Sequence, residues 1–171
     1  ETGAISDDGQ VIALAGEVGN IYVSTNGGSS WTSRSDGTGW KSIAMSADGT
    51  TMVAGNGFSI YVSTNSGTTW ASKANFGAGY VAISGDGTKM AAVPAKSGTN
   101  QKVAVSTNSG TSWTYPSTSN ADEIMSVSIS RDGTKWMSAS QSGCSTGSSG
   151  SVVRVSNDAT SWATFSMRPW D

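Results

Sequence analysis

Short apolar runs alternate with small or polar residues along the whole chain, and turns rich in Gly, Asn and Ser separate them. In the clearest stretch, Ile43 and Met45 alternate with small or polar neighbours, which is typical of a half-buried β-strand. Asp48 and Gly49 then indicate a hairpin turn, because both residues accept the positive φ that such turns impose. The pattern predicts short strands in this stretch at residues 41–46, 51–54, 59–63 and 70–73.

Two sequence markers recur in the same order along the chain, at a spacing of about 40 residues. One is an Asp-Gly pair, which occurs at 8–9, 48–49, 86–87 and 132–133. The other is Ser-Thr-Asn-x-Gly-x-x-Trp, which ends at Trp31, Trp70 and Trp113, with a shorter copy that lacks the glycine ending at Trp162. Repeated four-stranded units of this length are typical of propeller blades. We predict one β-propeller or partial-propeller domain over 1–171, with blades at about 1–36, 37–76, 77–120 and 121–171.

The second marker resembles the Asp-box, or BNR repeat, a hairpin motif of sialidases, some glycoside hydrolases, sortilin-type receptors, photosystem assembly factors and lectin-like modules. The resemblance implies an all-β, β-propeller-like array of four four-stranded antiparallel blades, each with an Asp-box hairpin between its third and fourth strands. In such a hairpin the Asn bonds backbone amides, the Gly takes a left-handed conformation and the Trp packs under the turn. We expect this structural role for Asn26, Gly28, Trp31, Asn65, Gly67, Trp70, Asn108, Gly110, Trp113 and Trp162. Because the motif occurs in such varied proteins, it indicates architecture rather than function.

Composition and charge exclude several function classes. The net charge is −2 without a basic cluster, which disfavours nucleic acid as a partner. No apolar run approaches the roughly 18 to 20 residues of a membrane-spanning helix, so we expect no membrane contact by this segment. The absence of histidine excludes Ser-His-Asp chemistry and histidine-ligated zinc, and the Asp-Gly turns lack the alternating carboxylates of calcium loops. We therefore predict no metal and no cofactor, and the single cysteine, Cys144, has no internal disulfide partner.

The sequence also lacks a recognisable glycosidase site. Sialidases need an arginine cluster, whereas this chain has only Arg34, Arg131, Arg154 and Arg168, and Arg131 falls in a predicted turn. Glycoside hydrolysis needs two facing carboxylates, but the aspartates of the Asp-Gly pairs occupy equivalent positions one blade apart, which favours a shared turn role. We predict no catalytic residue, although Glu17 and the loop acids Asp36, Asp122 and Glu123 remain candidates.

Loops that break the repeat are the candidate binding sites. If the chain forms blades, the loops between second and third strands and between successive blades lie opposite the Asp-box turns, where propellers commonly bind. Aromatic residues beside amides and charges suit sugar stacking or a protein hot spot. The alternative for Trp40 and Tyr80 is packing between blades, because large aromatics are buried on average. The ligand-binding candidates are Arg34, Asp36, Trp40, Phe58, Asn75, Phe76, Tyr80, Tyr115, Asp122 and Glu123.

Three hypotheses for the function follow from these observations. The first is a non-catalytic, extracellular or secreted binding or adhesion module that recognises a glycan or a protein, such as an ectodomain segment of a larger protein. The second is a structural or assembly unit, an incomplete propeller that is completed by a homodimer or by further repeats. The third is a fragment of a glycoside hydrolase.

Overall fold

The computed structural model describes residues 1–34, 37–75, 77–94, 102–116, 123–142 and 150–167. These residues form fifteen β-strands and no helix, as the alternating pattern predicts. Accordingly, they contain no helix that is long and apolar enough to cross a membrane.

The strands form antiparallel sheets, here called blades 1 to 4, in which each strand pairs with the next along the chain. Blade 1 contains β1 (Thr2–Ile5), β2 (Ile12–Ala15), β3 (Tyr22–Ser24) and β4 (Thr32–Ser33). Blade 2 contains β5 (Ser42–Met45), β6 (Met52–Gly55), β7 (Ile60–Ser63) and β8 (Ala71–Ala74). Blade 3 contains β9 (Ala78–Ile83), β10 (Met90–Pro94) and β11 (Ala104–Ser106). Blade 4 contains β12 (Glu123–Ile129), β13 (Trp136–Ser142), β14 (Gly150–Ser156) and β15 (Ala163–Met167).

The four-blade prediction is confirmed, with one local difference in blade 3. Its fourth strand is reduced to a bridge, in which Thr114 pairs with Val105 through two hydrogen bonds of 2.9 Å. Proline follows almost at once at Pro116, and proline removes the N–H that a longer strand would need. In blade 2, the predicted strands agree with the observed ones to within about two residues.

Each Asp-Gly pair closes the turn between the first and second strands of its blade. In blade 1 the Asp8 carboxylate accepts hydrogen bonds from Ser6 Oγ (2.6 Å) and from the N–H of Gln10 (2.9 Å). Gly9 has a φ of +70° and donates its N–H to the carbonyl of Ser6 (2.9 Å). The other turns repeat this geometry. Only the glycine takes the positive φ expected of both residues, because the aspartate acts through its carboxylate.

The same turns join neighbouring blades. The N–H of Asp7 donates to the carbonyl of Ala47 (2.9 Å), Ala47 donates to Gly85 (2.8 Å), and Gly85 donates to Arg131 (2.7 Å). The turn glycines also pack against the preceding blade: a Cβ on Gly49 would lie 2.6 Å from the Cβ of Val11. The repeat therefore specifies both the turn and the stacking of one blade on the next.

The hydrophobic core lies between blades rather than within them. Apolar residues of consecutive blades form shared clusters, with Ala13 and Ala54 between blades 1 and 2, and Val53 and Ala92 between blades 2 and 3. Trp136 contributes to the cluster between blades 3 and 4. In the described residues, no comparable packing joins the inner strand of blade 4 to that of blade 1. The blades therefore form an open arc.

Candidate binding surface

The turns at one end of the blades have the repeated sequence, whereas the loops at the other end differ in sequence from blade to blade. The end that carries the Asp-Gly turns also carries the loops between third and fourth strands, and the two are linked by hydrogen bonds such as Gly27 N–H to Gln10 carbonyl (3.0 Å). We call this end the hairpin face. The opposite end, the loop face, carries the loops between second and third strands and the connections between blades.

A Ser-to-Trp hairpin closes each blade on the hairpin face through its own hydrogen bonds. In blade 2, Asn65 Oδ1 accepts hydrogen bonds from Ser63 Oγ (3.0 Å) and from the N–H of Thr69 (2.9 Å). Gly67 has a φ of +73°, and its carbonyl accepts the indole N–H of Trp70 (3.0 Å). The Asn26 and Asn108 hairpins use the same Asn and Ser bonds. These side chains hold the hairpin rather than project into solvent for a ligand.

The fourth hairpin keeps this geometry although it is one residue shorter. Asp158 takes the place of the asparagine and accepts the N–H groups of Thr160 and Ser161, both at 2.8 Å. Ala159 takes the left-handed conformation, with a φ of +62°, and its carbonyl accepts the indole N–H of Trp162 (3.2 Å). The lost glycine is therefore replaced by an alanine that is 1% exposed against blade 3.

Electrostatics on the hairpin face favour ionised carboxylates with structural roles. The Ser130 hydroxyl, the Thr134 N–H and the Thr134 hydroxyl lower the pKa of Asp132 to about 2. Serine hydroxyls likewise lower the pKa of Asp8, Asp48 and Asp86. A general acid for glycoside hydrolysis needs a raised pKa, so these groups are unsuited to that role. Within the described ranges, no three His, Cys, Asp or Glu side chains lie close enough together to hold a metal ion.

Phe58 projects from a rigid loop on the loop face. Asn56 Oδ1 accepts the N–H groups of Phe58 (3.1 Å) and Ser59 (2.9 Å), which fixes the loop as an Asx turn. The N–H of Gly57 donates to the carbonyl of Ala78 (3.0 Å), so the loop is also attached to blade 3. The Phe58 side chain is nevertheless 74% exposed. The ring is thus presented to solvent by a backbone that is held on both sides.

Asn75 lies beside this loop, because its Oδ1 accepts the hydroxyl of Ser59 at 3.2 Å. The connection that follows packs against the Phe58 loop: a Cβ on Gly77 would lie 2.2 Å from the carbonyl oxygen of Gly57. Glycine is required there by close approach of two backbones. The structure therefore brings two sequence candidates, Phe58 and Asn75, onto one surface.

The corresponding loop of blade 1 presents an apolar residue that the sequence analysis missed. Val18 is 96% exposed, between Glu17, which forms an ion pair with Lys41, and Gly19, whose φ is +113°. The Lys41 ammonium lowers the pKa of Glu17 through a hydrogen bond and its charge. The candidate Arg34 adjoins this loop and donates its backbone N–H to Ile21 (2.8 Å). The signal in the sequence is a valine between a glutamate and a glycine, in a loop that breaks the repeat.

The remaining described candidates occupy different environments. Trp40 is 1% exposed, packs between blades 1 and 2, and meets the ring of Tyr61 edge-on at a centroid distance of 5.2 Å. This burial agrees with the packing alternative and leaves no surface for a ligand. Tyr80 and Tyr115 are 40% and 49% exposed, and partial burial raises the pKa of Tyr115. The candidates Asp36, Phe76 and Asp122, the Glu123 side chain, and Cys144 lie outside the described residues.

Blade 4 also contains a buried arginine, whose burial the sequence does not predict. Arg154 is 5% exposed inside blade 4 and donates from Nη1 to Ser140 Oγ at 2.8 Å. It occupies the strand position held by Tyr61 in blade 2, directly opposite Ser138. Nothing in the local alternation of the sequence distinguishes it from a surface arginine.

Comparison with known proteins identifies the fold. No family model matches the chain, and no curated protein matches it either. Among solved structures, a GH74 enzyme from Niastella koreensis has a TM-score of 0.75 at 20% identity, over 98% of this chain and 29% of that one. The nidogen/laminin complex has a TM-score of 0.73 at 12% identity, over 98% and 64%. YCF48 bound to D1 peptide has a TM-score of 0.63 at 16% identity, over 98% and 52%.

These similar structures are β-propellers, so the four blades are an array of β-propeller blades. At such low identity the likeness concerns the fold alone. The chain spans about a third of the length of the GH74 enzymes that it matches.

Proposed function

We propose that the chain is a non-catalytic binding module that holds a protein segment on its loop face. The observation that carries this proposal is Phe58, which is 74% exposed on a loop fixed by Asn56 and by Ala78. A rigid exposed aromatic side chain loses little entropy on binding, and aromatic residues are enriched at protein interfaces. Asn75 beside it can supply polar contacts.

A protein ligand is favoured over a glycan by the chemistry of the described loops. Val18 and Phe58 are both strongly exposed and apolar, which suits contact with apolar side chains. Two similar propellers were solved with protein partners, a D1 peptide and laminin. The proposal includes an extracellular or secreted location, and it assigns the Ser-to-Trp hairpins to the Asp-box family on their sequence and hydrogen bonds.

The test is selection from a random-peptide display library and from a glycan array, using the folded chain as bait. We expect enriched peptides whose affinity falls about 30-fold or more in Phe58→Ala, as for an interface hot spot. Phe58→Tyr is the matched control, since it keeps an exposed aromatic ring at the same position of the loop. Empty selections with folded protein, or equal binding by Phe58→Ala and wild type, would reject the proposal; glycan hits alone would replace the protein ligand.

A glycoside hydrolase fragment is the second candidate, because GH74 enzymes are among the similar structures. The lowered pKa of the turn aspartates makes them unsuited to act as the general acid, so this activity would depend on loop acids such as Asp122 and Glu123. Release of sugar from β-glucans or sialosides, abolished by Asp122→Asn or Glu123→Gln, would establish this activity instead.

A further inference from the structure

The outward sheet face of blade 1 is apolar, and within the described part of the chain no other blade covers it. Leu14 is 48% exposed and Tyr22 is 47% exposed. A groove of about 440 Å³ lies beside them and Val18. The strand pairing places Leu14 in register with Ala54 of blade 2, Ala92 of blade 3 and Ser138 of blade 4, all of which are 0% exposed. Leu14 is thus exposed at a position where every other blade is covered by its predecessor.

Among the described residues, no other blade covers the face of blade 4 that points away from blade 3. Met137 is 42% exposed, and Phe165 on the same face is 55% exposed. The positions equivalent to Met137 in the other blades are Ala13, Val53 and Ala91, which are all 0% exposed. Val153 and Val155, which are only partly buried, complete this apolar face.

Contacts inside the chain show how two such faces fit together. Ala54, at the Leu14 position, shares a core cluster with Ala13, at the Met137 position. Val53 and Ala92 repeat this pairing one blade later. We call the face of a blade that carries the Leu14 position its leading face, and the face that carries the Met137 position its trailing face. Inside the chain, the leading face of each blade packs against the trailing face of the blade before it.

The turns of blade 1 contain groups that contact the preceding blade in the other blades but have no such contact here. A Cβ on Gly49 would lie 2.6 Å from Val11, and one on Gly67 would lie 2.7 Å from Val23 Cγ2, both in the preceding blade. The equivalent Gly9 has nothing within 4 Å. The backbone series that starts at the N–H of Asp7 ends, among the described residues, at the carbonyl of Arg131. The Asp7 carbonyl is thus placed to accept, and the Arg131 N–H to donate, one more hydrogen bond of this series with another blade.

We propose that a second copy of this chain covers both faces, with blade 4 of each copy packed on blade 1 of the other. We call the contact between a leading and a trailing face a seam. Because one chain carries an uncovered face of each kind, a two-fold dimer forms two identical seams and places eight blades around one axis. Each seam repeats the contact that blades 1 and 2 make within the chain. This dimer concerns the sheet faces of blades 1 and 4, whereas Phe58 and Asn75 lie on the loop face of blade 2.

Charge substitutions test the seam and its direction. Light scattering should give about 35 kDa for wild type, twice the 17.4 kDa of one chain. Leu14→Glu and Met137→Lys should each give a folded monomer, verified by circular dichroism. Mixing the two variants should restore a dimer, because one seam then joins wild-type faces and the other pairs Glu with Lys. If Leu14→Glu does not fold, Tyr22→Glu on the same face takes its place.

Each other outcome counts against the proposal. A wild-type monomer would show that a second copy does not cover these faces. Dissociation by Leu14→Glu but not by Met137→Lys would indicate that two blade 1 faces meet each other. Larger open assemblies would contradict the two-fold closure, and a mixture that stays monomeric would contradict the pairing of Leu14 with Met137.

Discussion

Gly9 and Gly49 have the same backbone conformation but different surroundings. Both glycines follow the aspartate of an Asp-Gly turn and have a φ of +70°. Gly49 faces Val11 so closely that a Cβ would lie 2.6 Å from the valine Cβ, whereas Gly9 has nothing within 4 Å. The pair therefore separates the cost of a left-handed alanine from the cost of disturbing a contact between blades.

Gly9→Ala should lower the free energy of unfolding by about 1–2 kcal/mol, the cost of a left-handed non-glycine residue. Gly49→Ala should lose about 1–3 kcal/mol more, because overpacking against Val11 adds to the same backbone cost. Urea unfolding, performed in the monomeric Leu14→Glu background to exclude contacts between chains, measures both values. Equal losses would mean that blade stacking does not depend on this glycine.

Identical residues can also differ in exposure for reasons that lie outside their own segment. Tyr22 and Tyr61 both occur in Ile-Tyr-Val-Ser-Thr-Asn, yet Tyr22 is 47% exposed whereas Tyr61 is partly buried against Trp40. The alternation of the sequence predicts the strand in both cases, because pairing and side-chain direction are local. It does not predict the exposure, since that depends on what covers the blade. For the same reason the sequence could not decide whether Trp40 binds or packs.

The Asp-Gly turn is the element through which pH should act on stability. Hydrogen bonds from Ser130 and Thr134 lower the pKa of Asp132 from 3.8 to about 2 in the folded chain. A carboxyl whose pKa is lower when folded stabilises the protein above its unfolded pKa, and this stabilisation disappears as the pH falls through the folded value. The relevant window therefore runs from about pH 4 down to about pH 2.

Asp132→Asn should therefore weaken the loss of stability between pH 4 and pH 2, whatever its effect at neutral pH. The measurement is the urea midpoint of wild type and variant across this window. Ser130→Ala is the companion variant: it keeps the carboxyl, removes its strongest hydrogen bond and should raise the pKa of Asp132 in an NMR titration. Parallel pH curves for wild type and Asp132→Asn would refute this role of the turn.

The Ser-to-Trp hairpins show how far a sequence motif predicts the conformation of a turn. Their turn positions were predictable because Asn, Gly and Trp act within a few residues of one another. The fourth copy looked degraded because it lacks a residue and the glycine, but Asp158 and Ala159 supply the same acceptor and the same left-handed residue. The conformation thus survives a change that breaks the sequence pattern.

The four blades form an arc, and the number of neighbouring blades differs from one blade to another. Among the residues that the structure describes, blades 2 and 3 have a neighbouring blade on each face, whereas blades 1 and 4 each have one face without a neighbouring blade. The ion pair between Arg131 and Asp7 links the two ends of the arc across a cavity of about 240 Å³. Because this pair is largely exposed, it should contribute at most about 1 kcal/mol. The sequence revealed the number of blades but not this asymmetry, which arises only when the sheets stack.

Hydrogen exchange should report the asymmetry directly. In a stacked repeat array, each unit is stabilised by its contacts with its neighbours, so units with one neighbour open more easily. In monomeric Leu14→Glu we expect β6 and β10 to exchange slowest and β2 and β13 faster, at their non-terminal amides. In wild type, if blade 4 covers blade 1 of a second copy, the protection of β2 and β13 should rise towards that of β6 and β10. Uniform exchange across all blades of the monomer would contradict the model of blades stabilised mainly by their neighbours.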